Sequence, residues 1–191
     1  MKTKYVLIAF ALTALVQAFV PLKMVYDNHI TETQGTVFKF KTEPVDPSDP
    51  FRGKYIVLNF EADTLATADK NWVYDEPVYA VIAKDAEGFA RIKAVQREEP
   101  SGTADYVTVK MNFYNEGTLF VDLPFNRYYM EESKAPDAEL MYNRYVQSAD
   151  MVPAYALVAV KNGSAVLTDV IIDGLPVKEY VIKHRNDEIK R

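Results

Sequence analysis

The chain has 191 residues, 49% hydrophobic and 26% charged, which suits one compact domain plus a short accessory element and argues against extended disorder. Its formal charge of -5, with no block of Lys and Arg interleaved with aromatics, argues against a phosphate-binding surface, so no nucleic acid is expected as a partner. The lack of cysteine excludes disulfides, thiol catalysis and cysteine-ligated metal.

Lys2 and Lys4 precede an uncharged run from Tyr5 to Leu22. As a helix it spans about 27 Å against a hydrocarbon core of about 30 Å, enough for one crossing of a lipid bilayer by residues 5–22. The flanking positive charges predict a cytoplasmic N-terminus and an exported remainder, periplasmic or extracellular. Val16-Gln17-Ala18 also offers a cleavage point for a signal peptide, and composition leaves the two readings near even. The apolar run continues past Ala18 through Phe19, Val20 and Leu22, and Met24 to Thr33 can prolong the helix toward Gly35, which favours an uncleaved anchor.

Beyond the anchor, β-favouring runs separated by Gly, Pro, Asn and Asp predict an antiparallel β domain. The expected strands are Thr36 to Thr42, Lys54 to Glu61, Val78 to Lys84, Phe89 to Gln96, Tyr106 to Tyr114, Thr118 to Leu123, Tyr155 to Lys161 and Ala165 to Ile172. Hairpin turns are expected at Asp85 to Gly88, Asn115 to Gly117 and Asn162-Gly163. Strict alternation from Tyr106 to Phe113 would bury Val107, Val109, Met111 and Phe113 and wet Thr108, Lys110 and Asn112.

One helix interrupts the strands, because Ala138, Met141, Tyr142, Tyr145, Val146 and Ala149 recur at helical spacing, with Pro136 suited to its first turn. The final run, Lys183 to Arg191, reads as a solvated tail or a frayed strand end. The fold class is therefore mainly β (α+β): an N-terminal transmembrane helix, then an antiparallel β-rich domain with one packed amphipathic helix. The expected division is 1–35 anchor and juxtamembrane helix, 36–182 β-rich domain, and 183–191 charged tail.

The most informative stretch runs from Pro44 to Phe60. Pro44, Pro47 and Pro50 make its first half a stiff loop, and Gly53 frees the backbone before Lys54. In the strand, Ile56, Leu58 and Phe60 face one way and Tyr55, Val57 and Asn59 the other, which predicts a central strand.

Gly53-Lys-Tyr55-Ile-Val-Leu58-Asn-Phe60 resembles the signature of the GDYXXLXY family of predicted membrane-anchored bacterial proteins. Phe125 to Glu132 is similar to that family's Arg-Tyr-Phe block with its following glutamate, and Val170 to Gly174 to its late strand ending in Asp-Gly. Two positions depart from the signature: Lys54 stands in place of Asp and Phe60 in place of the last Tyr. The resemblance implies an N-terminal anchor, an exported domain and no assigned activity.

Asp46, Asp49, Arg52, Gly53 and Tyr55 are candidate binding residues together with Arg127, Tyr128, Glu131 and Glu132, a mixture able to hold a carboxylate, an amine or a sugar. The alternative is architectural: Asx turns and Arg–carboxylate hydrogen bonds tie the proline-rich loop to the sheet. His29 and His184 are placed as neither base nor ligand, so no catalytic residue, metal or cofactor is expected. A faint echo of membrane-anchored Ser/Lys peptidases at Ser48, or a carboxylate pair, supplies the competing enzymatic reading. The expected role is non-catalytic: binding or structure, with an integral membrane protein or another component of the bacterial cell envelope as partner.

Overall fold

A computed structural model describes residues 2–43, 55–102, 105–129 and 153–188, together with 138, 141, 142, 145 and 146. Helix α1 (Lys2–Gln34) is continuous through Pro21, and its apolar side chains from Tyr5 to Tyr26 are exposed. This long apolar N-terminal helix is followed by an antiparallel β-rich region, as the sequence predicts. A single residue, Gly35, separates α1 from the first strand.

The strands are β1 (Thr36–Glu43), β2 (Tyr55–Val57), β3 (Asn59–Phe60), β4 (Thr64–Ala66), β5 (Pro77–Lys84), β6 (Ala90–Gln96), β7 (Tyr106–Asn115), β8 (Thr118–Asp122), β9 (Arg127–Tyr129), β10 (Tyr155–Lys161), β11 (Ser164–Ile172) and β12 (Leu175–Pro176). They form a five-stranded sheet in the order β12-β11-β10-β1-β3, a second in the order β4-β8-β7-β5-β6, and a two-stranded ribbon β2-β9.

The expected hairpins close as their turn chemistry dictates. Asp85 accepts hydrogen bonds on Oδ1 from the Glu87 and Phe89 amides, each at 2.9 Å. Asn162 and Gly163 take φ of 49° and 81°, the left-handed values that a two-residue turn requires. Gly163 also has no room for a side chain, since a Cβ would lie 2.7 Å from Thr108 Oγ1. There the two large sheets meet: the Thr108 amide donates to the Gly163 carbonyl at 2.8 Å.

The core fills the space between the sheets. Phe40, Phe60 and Phe125 pack edge-on or tilted with centroids 4.9 to 5.8 Å apart, beside Ile56, Leu58, Val158 and Ile172. Ala138, Met141, Tyr142, Tyr145 and Val146 are helical, and Ala138, Tyr142 and Tyr145 are buried, so the predicted apolar stripe faces the core.

Three expectations need correction. The predicted central strand over Lys54 to Glu61 is two short strands with different partners: β2 pairs with β9, while β3 sits at the edge of the first large sheet. Phe113 is not core. A bulge between Met111 and Phe113 shifts the register, so Phe113 turns out to 47% exposure and stacks on Phe120 at 4.1 Å. The chain end is also not a frayed strand: residues Val177–Glu188 form helix α2, anchored by buried Val177 and Val181.

Candidate functional site

The ribbon brings together two of the sequence blocks. In its antiparallel register Tyr55 lies opposite Tyr129, Ile56 opposite Tyr128, and Val57 opposite Arg127. Because successive residues point to opposite faces, Ile56 and Tyr128 turn into the core while Tyr55, Val57, Arg127 and Tyr129 share the outer face. Tyr55 and Tyr129 rings lie 5.4 Å apart, and the Arg127 guanidinium sits 5.2 Å from the Tyr55 ring centroid. Tyr129 is 63% exposed, so this face offers aromatic surface beside a positive charge.

The inner face fixes the ribbon to the sheet. Tyr128 donates its hydroxyl to Asp169 Oδ1 at 3.0 Å, and the Lys178 ammonium lies 5.7 Å from its ring centroid. Burial, and then the adjacent Asp169 charge, push the Tyr128 phenol above its ordinary pKa. Asp169 is presented by a bulge in β11, where the register with β10 skips Thr168, whose hydroxyl donates to the Leu157 carbonyl at 3.0 Å. The Leu58 amide completes the attachment by donating to the Asn126 carbonyl at 2.9 Å.

Of the candidate binding residues, Tyr55, Arg127 and Tyr128 are thus brought onto one ribbon, with Tyr128 on its inner side. Asp46, Asp49, Arg52, Gly53, Glu131 and Glu132 lie outside the described residues, as do Ser48 and Lys54.

Two further polar residues escaped sequence reasoning. Arg97 stacks 4.4 Å from the Trp72 ring centroid and donates to Glu76 at 2.9 Å, Asp69 at 3.3 Å and the Asn71 carbonyl, closing the 67–76 loop beside an open groove of about 470 Å³. Beside the Glu98-Glu99 pair it reads in sequence as part of a solvated charge run. Asp63 follows β3 in a short 3-10 turn, where burial and the Glu43 charge push its carboxyl up to about 6. Nothing in its sequence neighbourhood marks that burial.

Residues 17–170 match the family described as GDYXXLXY protein. The chain belongs to this family. No curated protein and no solved structure matches it. The family's Tyr-x-x-Leu-x-aromatic strand has a physical meaning here: Tyr55 forms the outer face with Arg127 and Tyr129, Leu58 is buried where the strand changes partner, and Phe60 enters the core at 2% exposure. Phe60 in place of the family's last tyrosine suits that setting, because a buried hydroxyl needs a partner and a phenyl ring does not.

Proposed function

We propose that the protein is a single-pass membrane protein, N-terminus cytoplasmic and β domain exported, that acts by binding a membrane or envelope partner through the outer face of the β2–β9 ribbon. The observation that carries the binding reading is the outer-face cluster of exposed Tyr129 and Arg127 against partly buried Tyr55. Aromatic rings and arginine supply contact area and directed hydrogen bonds at low entropic cost, and they dominate the energetics of protein interfaces.

Retention of the anchor is supported by what cleavage after Ala18 would leave behind. Phe19, Val20, Leu22, Met24, Val25 and Tyr26 are each 57 to 69% exposed on a stretch of α1 that none of the described residues of the domain covers. A bilayer buries these side chains, at roughly 1.5 to 3 kcal/mol for a large apolar group, whereas a cleaved stub holds them in water.

The test is photo-crosslinking from position 57 in the full chain in membranes, followed by identification of the linked protein. A discrete product that disappears in Tyr129→Ala and Arg127→Ala is expected. No product, or one unaffected by both variants, refutes binding through this face. Separately, release of the domain into the soluble fraction without residues 1–18 refutes the anchor.

A further inference from the structure

The junction between α1 and the sheet has the features of a rigid joint. Helix hydrogen bonding runs to its last turn, where the Gly35 amide donates to the Thr31 carbonyl at 2.9 Å, and β1 begins one residue later. Thr31 is 3% exposed against the sheet, and Lys161 of β10 donates its ammonium to Gln34 Oε1 at 2.6 Å. Gly35 is needed for space: a Cβ would stand 2.4 Å from the Thr31 carbonyl oxygen and 2.9 Å from that of Val160. Both obstacles are backbone, so the joint is packed solid on two sides.

Its height follows from helix geometry. The exposed apolar surface ends at Tyr26 and burial in the domain begins at Thr31. Five residues rise about 7 Å, close to the thickness of one headgroup layer, which is about 5 to 7 Å. No flexible linker intervenes, because residues 27–34 are helical throughout.

We propose that α1 and the β1–β10–β11 sheet form one rigid lever, which seats the domain on the bilayer surface and holds its ribbon face at a fixed height and rotation. This rests on the anchored reading and narrows the partner to a protein fixed in the same bilayer. A tumbling domain would lose orientational entropy on meeting such a partner; a rigid stem has already lost it.

Trp72 is the only tryptophan and is held by its own Nε1 hydrogen bond to the Asp69 carbonyl at 2.9 Å, so its emission reports motion of the domain. The experiment is time-resolved anisotropy of the full chain in lipid nanodiscs, with a Gly-Ser hexapeptide inserted between Asn28 and His29 as comparison. The native chain is expected to show no nanosecond domain tumbling, while the insertion lowers the residual anisotropy by about half or more. An eleven-residue helical insertion at the same point should raise the domain about 16 Å with no added tumbling, reducing energy transfer from Trp72 to dansyl-labelled headgroups. Fast tumbling in the native chain equal to that of the Gly-Ser variant overturns the lever. Failure of the chain to float with vesicles overturns the anchor itself, and the lever with it.

Discussion

Replacing Tyr128 by phenylalanine removes one oxygen and tests what holds the ribbon to the domain. The phenol is 5% exposed and donates to Asp169 at 3.0 Å. A hydrogen bond to a charged acceptor contributes about 1.5 to 3 kcal/mol, and the partly buried Asp169, which keeps the Val170 amide at 2.8 Å, places the loss near about 1.5 kcal/mol. For a domain of this size that lowers Tm by about 3 to 6 °C. Asp169→Ala should cost at least as much, because it strands a buried hydroxyl, and the double variant should be less destabilised than the sum, with a coupling of about 1 kcal/mol. Thermal unfolding of the full chain in detergent, followed by circular dichroism at pH 7, supplies all four corners of the cycle. Additive losses, or a Tyr128→Phe loss below about 0.5 kcal/mol, would refute the attachment. The phenol's raised pKa sets the pH window: the unfolded chain releases this proton first, so the contribution holds at pH 7 and falls as pH rises past the ordinary tyrosine range.

Gly35→Ala should destabilise by about 1 to 3 kcal/mol, because two backbone carbonyls must move to admit one methyl group; denaturant unfolding measures this, and a neutral result would mean the joint is loose. Asp63→Asn should stabilise at pH 8 and change little at pH 4. The folded carboxyl titrates at about 6 against 3.8 unfolded, so the stability present below pH 4 is lost as pH rises through 6. The shift corresponds to about 3 kcal/mol before screening, and partial exposure to solvent reduces it to about 1 kcal/mol; equal effects at both pH values would refute the assignment. Phe113→Thr should cost under about 1 kcal/mol, against about 2 to 5 kcal/mol for Met111→Ala, since the bulge leaves only the stack on Phe120 to lose. Similar losses at the two positions would place Phe113 back in the core.

The elements legible in the sequence are those with local causes. Asn162-Gly163 and Asp85 to Gly88 carry their turn geometry in their own residues, and the helical spacing of Ala138, Tyr142 and Tyr145 needs no partner to be read. The errors arise where a distant contact decides. Nothing local marks the bulge before Phe113; it exists because β7 must keep pairing with β8 while the register shifts. Helix α2 was hidden by its charges, since Val177, Val181 and Tyr180 are the residues packed on the core and the charged residues between and after them resemble a tail. The candidate site was half legible for the same reason: resemblance to the family's blocks singled out Tyr55 and Arg127, but only the strand register places one beside the other.

The split of the motif strand at Leu58 carries the most consequence for function. Had Tyr55 to Phe60 run as one central strand, neighbours on both sides would have taken its backbone and the outer residues would have faced another layer. By giving its amide to Asn126, Leu58 lets the strand leave β9 and reach β1 at the next residue, while its own side chain stays buried. The first half is therefore free to carry Tyr55 outward on a two-stranded ribbon, and the second half sends Phe60 against Phe40 and Phe125. One short segment thus ties an exposed aromatic and cationic face directly to the core. Because that core also takes in β1, which starts one residue after α1, the face is connected to the long apolar helix through packed structure.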